Sequence, residues 1–176
     1  MSRDFAPGQV LDHRFTLIER IGTGAVGSVW RARDAQRNHD VAIQLIVPVD
    51  GEGRVSRTKI GRFMREARAM ARLRSPHVVR VYDHGSLHGD GSSGSLSASA
   101  SSHGGSNSPA ESGVEVVYIA MEVLVGEPLR ARLKRRKTVD PATTLRMLRH
   151  VGRAVDFSHQ RGIVHRDLKP ANIFLC

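Results

Sequence analysis

The sequence predicts an α+β fold: five antiparallel strands with one helix, then a segment that is mostly helical. Three observations predict it. Runs rich in Val and Ile alternate with turn-forming residues over 15–47 and return at 115–124. Between them, Lys59 to Leu73 carries Ile60, Phe63, Met64, Ala67, Met70, Ala71 and Leu73, the spacing of a helix with one buried face. After residue 125 the pattern turns helical, with Pro141 opening the longer stretch behind Asp140, a good N-cap.

Each element follows in order. Phe15 to Ile21 and Ser28 to Arg33 read as two strands joined through Gly22, Gly24 and Gly27. Asp40 to Val47 is a third strand. Arg62, Arg65, Arg68 and Arg72 line the outer side of the helix over 59–73, which Ser75-Pro76 ends. Val78 to Tyr82 starts a fourth strand and Glu115 to Leu124 forms the fifth. The intervening stretch 90–113 is mostly Ser, Gly and Ala without an aromatic residue. It is expected to be a flexible insertion, because so little apolar surface cannot offset the entropy of ordering. Glu127 to Lys137 reads as a short basic helix. The helix from Pro141 carries Leu145, Leu148, Val151, Val155 and Phe157 and is expected to end near Gly162. Short extended pieces at 163–164 and 173–175 flank a polar loop.

Composition narrows the class. With 27 Lys and Arg against 17 Asp and Glu, the 176-residue chain has a formal net charge of +10, which favours anionic partners. The basic run Lys134 to Lys137, with Arg130 and Arg132, could meet nucleic acid. No aromatic residue is interleaved, so a solvated helix face is the better reading and a nucleic-acid partner is not expected. One cysteine, Cys176, allows no internal disulfide, and the longest apolar stretch, 114–125, is interrupted by Glu115 and Glu122 and is too short to span a bilayer. No membrane segment is expected, and the cytoplasm is the expected location. His84 and His88 have a metal-like spacing but no carboxylate or thiol support nearby, so no metal is expected there.

Two motifs carry chemistry. In Gly22-x-Gly24-x-x-Gly27-x-Val29 the glycines let backbone amides approach a phosphate without a Cβ clash. A dinucleotide fold uses a similar pattern ahead of a helix, whereas Val29, Trp30 and Val41 indicate strands here, hence a hairpin lid. In His165-Arg166-Asp167-Leu168-Lys169-Pro170-Ala171-Asn172, a carboxylate, an amine and a carboxamide lie close together. They offer a proton acceptor, a phosphate-binding cation and a metal-binding oxygen.

Together with Val41-Ala42-Ile43 and with Glu66 on the helix, these motifs resemble the serine/threonine protein kinases, in a bacterial style, from about Phe15 to the end of the chain. The resemblance implies a protein-kinase-like fold. Residues 1–14 would be an N-terminal extension, 15–124 the small lobe and hinge with its insertion at 90–113, and 125–176 the beginning of the large lobe. It implies ATP and Mg2+ as cofactors and a protein hydroxyl as substrate. Gly22, Gly24 and Gly27 would cover the ATP phosphates. Ile21, Val29, Ala42 and Met121 would enclose adenine, with Met121 as gatekeeper, and Glu122 to Leu124 would form the hinge. Asp167 would accept the substrate proton, Lys169 would neutralise the transferred phosphoryl group, Asn172 would hold a magnesium ion, and His165 would be structural. Arg166 would grip a phosphorylated activation loop.

Two departures temper what the resemblance implies. Gln44 stands where the family has a lysine that pairs with the helix Glu and grips ATP. Gln44 can donate a hydrogen bond to Glu66 or a phosphate but carries no charge, so its grip is expected to be weaker. Arg31, on Val29's side of its strand, is the nearest candidate cation but is not expected to take the lysine's place. The family's Asp-Phe-Gly does not occur within these 176 residues, so the chain alone is expected to transfer little or no phosphoryl. The alternative is a pseudokinase-like module that binds a nucleotide or a partner protein without catalysis.

Overall fold

The computed structural model describes residues 5–24, 27–47, 56–88, 97–98 and 115–176. Most of the insertion expected at 90–113 lies outside the described residues. The chain forms two compact units, one built from 1–71 and 81–123, the other from 72–80 and 124–176.

The first unit is an antiparallel sheet of seven strands with one helix. The strands are β1 (Val10–Leu11), β2 (Phe15–Gly24), β3 (Gly27–Asp34), β4 (His39–Ile46), β5 (Val81–His88), β6 (Ser97–Ala98) and β7 (Glu115–Met121). Their order across the sheet is β1-β2-β3-β4-β7-β5-β6. The five long strands are those expected from the sequence. The two-residue strands at the edges are additions, with β6 pairing Ala98 to Leu87. The fourth strand starts at Val81 and not at Val78, because 78–80 belongs to the connection after helix α1 (Arg57–Ala71). β7 ends at Met121, which leaves 122–124 outside the sheet.

Alternation along the strands divides the sheet into two faces. Trp30, Ala32, Val41, Ile43, Leu45, Val116, Tyr118 and Ala120 lie on one face, where they pack with Leu11, Phe15, Leu17 and Leu87 into the main core. Each large apolar side chain buried this way contributes about 1.5–3 kcal/mol. On the other face α1 lays Ile60, Phe63 and Met64 against Ile46 and Val117, and Phe63, Ala67 and Met70 against Val81, Ile119 and Met121. The helical spacing of the sequence therefore maps onto a real buried stripe.

A buried ion pair locks the β1–β2 turn to the sheet. Arg14 donates from Nε and Nη2 to the two oxygens of Asp34, at 2.8 and 2.7 Å, and from Nη1 to Asp83. Burial alone would raise the Asp34 carboxyl, but the Arg14 fork and the backbone N–H groups of Arg37 and Gln36 outweigh it and hold it below its usual range. Those same N–H groups close the β3–β4 turn on Asp34. At the far side of the core the Tyr118 ring crosses Gly85 so closely that a Cβ there would sit 2.7 Å from the ring, and its hydroxyl donates to Asp12.

The second unit contains α2 (Leu129–Arg136), α3 (Pro141–His159) and a small ladder of β8 (Glu127–Pro128) with β9 (Phe174–Leu175). Asp140 caps α3 as expected, accepting from the N–H of Thr143 at 2.8 Å. The carboxyl of Asp140 is lowered by this bond. Among the described residues no helix is long and apolar enough to cross a membrane.

Candidate active site

On the sheet, register decides what the sequence could only suggest. Val29 pairs with Gln44, Arg31 with Ala42, Ala42 with Met121 and Gln44 with Ile119. Val29, Ala42, Gln44 and Met121 therefore share one face, in neighbouring rows of three adjacent strands. Gly22 sits opposite Val29, and Ile21 falls in the adjoining irregularity of β2 with 49% of its surface exposed. The result is an apolar strip with one amide, Gln44, at its edge. Glu122, Val123 and Leu124 follow directly, half-buried, after the last sheet residue.

The glycine hairpin closes through the Gly24–Gly27 pair. Gly27 has φ +150°, and a Cβ there would lie 1.9 Å from the Leu45 carbonyl oxygen. Only glycine lets β3 begin this close to β4.

Glu66 departs from the inward-facing role that the resemblance implies, and Arg31 is engaged elsewhere. Glu66 is exposed on α1 and makes no hydrogen bond to Gln44 among the described residues. The buried stripe of α1 centres on Ala67, and the preceding residue points about 100° away around a helix. Arg31 is no free substitute for the missing lysine. It is held by Asp40 at 2.6 Å and by Glu19 at 3.5 Å, both beside it on the sheet.

In the second unit the loop after α3 gathers the other three expected residues. Lys169 Nζ lies 2.7 Å from Asp167 Oδ2. Asn172 donates from Nδ2 to the Asp167 backbone carbonyl at 2.8 Å and to its carboxylate at 3.1 Å. The ion pair with Lys169 is the main reason the Asp167 carboxyl is held below its usual range. Asp167 and Lys169 are 63% and 52% exposed, so solvent screens much of this attraction. His165 fixes the loop from within, its carbonyl accepting from Asp167 N–H at 2.7 Å. Arg166 occupies the left-handed region at φ 56°, a conformation that concentrates at functional sites in non-glycine residues. A 3-10 turn over Pro170–Asn172 completes the loop.

The base of this loop depends on residues that the sequence did not single out. Glu127 and Pro128 pair with Leu175 and Phe174, and Leu129 N–H donates to the Ile173 carbonyl at 2.8 Å. Gly126 permits the approach, since a Cβ there would lie 1.9 Å from the Leu175 carbonyl oxygen. Arg135 and Arg132 bind Glu127 at 2.6 Å each, and these bonds push its carboxyl down to about 2. Part of the basic run on α2 is thus structural. The glycine was visible in the sequence, but its partner strand lies 48 residues or more downstream, too far for local patterning to reveal.

A family profile, the protein kinase domain, matches residues 15–176. The chain belongs to the protein kinase domain family. Among curated relatives, this kinase chain is 32% identical over 170 residues to the serine/threonine-protein kinase PknA of Mycobacterium tuberculosis, covering 96% of the chain and 33% of PknA. To PknD of the same organism it is 29% identical over 161 residues, covering 92% of the chain and 20% of PknD. The chain thus spans between about a fifth and a third of these relatives. A crystal structure of the M. tuberculosis PknI kinase domain superposes with a TM-score of 0.69 at 25% identity, covering 98% of this chain and 58% of that one.

Proposed function

We propose that this kinase chain carries the nucleotide-facing sheet and the catalytic loop of a serine/threonine protein kinase, with a weakened hold on the nucleotide phosphates. The observation that carries the reading is the mutual hydrogen bonding of Asp167, Lys169 and Asn172, which matches what proton transfer from a hydroxyl requires. Asp167 is ionised at neutral pH, because its carboxyl is lowered, and it can accept a proton from a serine or threonine hydroxyl. Lys169 supplies a cation for the phosphoryl group in flight. Asn172 uses its amide nitrogen on Asp167, leaving the side-chain oxygen as the part suited to a magnesium ion. One neutral oxygen makes no cage, so it fits as a single ligand to magnesium that ATP phosphates also hold. ATP would supply the phosphoryl donor. The apolar strip of Ile21, Val29, Ala42 and Met121 suits a flat, uncharged adenine, and the hinge residues Glu122 and Leu124 offer backbone groups to its edge. Gly22, Gly24 and Gly27 carry no side chain, so at those positions backbone amides could approach the phosphates.

The second reading, a pseudokinase-like module, is favoured by one observation: the exposed Glu66 and the uncharged Gln44 do not join. Thermal melts of the chain with a non-hydrolysable ATP analogue, with and without magnesium, separate the readings in part. Stabilisation that grows with magnesium and disappears in Asn172→Ala supports the kinase site. No shift at millimolar analogue would remove nucleotide binding and leave a protein-interaction role.

A further inference from the structure

A different surface of the second unit has a consistent chemistry of its own. Arg146, Arg149, His150 and Arg153 stand at i, i+3, i+4 and i+7 of α3, so they share one face of the helix. All four are exposed, and they extend about 10 Å along the axis. The three arginines make no salt bridge or side-chain hydrogen bond among the described residues. The two acids nearest in sequence are already engaged, Asp140 capping the helix and Asp156 accepting from Gln160. The segment 72–80 adds His77, whose ring stacks on His150 with centroids 4.4 Å apart and planes 14° apart.

Burial, with the stacked His150 and nearby Arg153, makes the His77 imidazole resist gaining charge unless an anion is present. We infer that the Arg146–Arg149–His150–Arg153 face, with His77, is a docking surface for a phosphorylated peptide segment. Guanidinium forks match phosphate oxygens bidentately, and every permanent cation in the row is an arginine. The one exposed ring in the row, His150, is already stacked on His77, and Phe157, which continues the face one turn on, is half-buried with Arg161 3.5 Å over its ring, so neither is open to a nucleobase or a lipid surface. The surface is separate from loop 165–172 in sequence and shares none of its residues, so its fate does not depend on phosphotransfer.

Burial is the main reason the His77 imidazole is held below its usual range, and His150 and Arg153, both from α3, add to it. A bound phosphate reverses that balance, so protonation of His77 should accompany binding and affinity should gain as pH falls through the range where histidine charges.

The test is fluorescence anisotropy on the whole chain with a labelled serine-rich peptide carrying two phosphoserines, and with its unphosphorylated twin. The phosphopeptide should bind, the twin should not, and R149Q/R153Q should weaken binding about tenfold or more. The control K134Q/R136Q, exposed cations of α2, should leave binding unchanged. Between about pH 8 and about pH 5, H77Q should lose the affinity gain of the native chain, the peptide's own titration being common to both. Equal binding of the unphosphorylated peptide, equal losses in the α2 control, or identical pH profiles for H77Q and the native chain would each overturn the assignment. So would tighter binding of a single-stranded RNA oligonucleotide or of phosphatidylserine vesicles. Far-UV circular dichroism verifies that each variant remains folded.

Discussion

The residues aligned on the sheet face and those gathered in loop 165–172 are held by contacts of very different reach. Val29, Ala42, Gln44 and Met121 come together only because three strands from distant parts of the chain pair in one register. Asp167, Lys169 and Asn172 lie within six consecutive positions and bond to one another directly. On the sheet, Gln44 is uncharged and Glu66 faces solvent without joining it, while in the loop Asp167 is bonded to both Lys169 and Asn172. Local hydrogen bonds can thus hold a polar cluster together without help from distant segments, whereas a contact between Gln44 and Glu66 would need strand and helix to meet.

The largest expected effect tests how far the sheet face depends on remote contacts. Asp34→Ala leaves Arg14 buried with half of its fork unpaired, and should destabilise the sheet unit by about 3–5 kcal/mol in urea or thermal melts. The NMR signals of Asp167 and Asn172 should not move, since their contacts are internal to the loop. Coupled shifts there would show that the loop is not self-supporting.

Gly27→Ala comes next. The positive φ and the Leu45 carbonyl both oppose a Cβ, and the cost should be about 1–3 kcal/mol, with exchange of the β3–β4 amides accelerated. An unchanged melt would mean that the hairpin can relax without disturbing β4.

Gln44→Lys sharpens the comparison directly. If the uncharged Gln44 is what weakens the sheet site, a cation there should tighten ATP-analogue binding about tenfold by calorimetry, the difference between a neutral and a charge-assisted hydrogen bond. Gln44→Lys with Glu66→Gln should retain less of the gain if Glu66 can swing inward. Equal gains would show that the lysine acts on phosphate alone.

The smallest effect lies in the loop. Lys169→Met should raise the Asp167 midpoint towards the ordinary carboxylate range in an NMR titration. The sign follows from the depressed carboxyl: any stability from this pair is present above the unfolded-state value and is lost as pH falls through the folded one. Both groups are more than half exposed, so the melting temperature at neutral pH should barely change.

Much of this was legible in the amino-acid order. The stripe of α1, the Asp140 cap, the five long strands and the membership of loop 165–172 follow from periodicity and residue type over short windows, where local sterics and hydrogen bonds act. Which way Glu66 faces was not legible, because a helix's rotation is set by the side chains it buries, here centred on Ala67. The partners of Arg31 were not legible for a related reason: alternation gave its face, but only the neighbouring strands brought Asp40 and Glu19 beside it. The Arg14–Asp34–Asp83 cluster, the Gly126 contact with Leu175 and the His77–His150 stack also join residues far apart in the chain. Chemistry carried by adjacent residues is written in their order. Chemistry that needs two distant segments exists only once register and packing have selected one pairing among many, and that selection is made by the buried core as a whole.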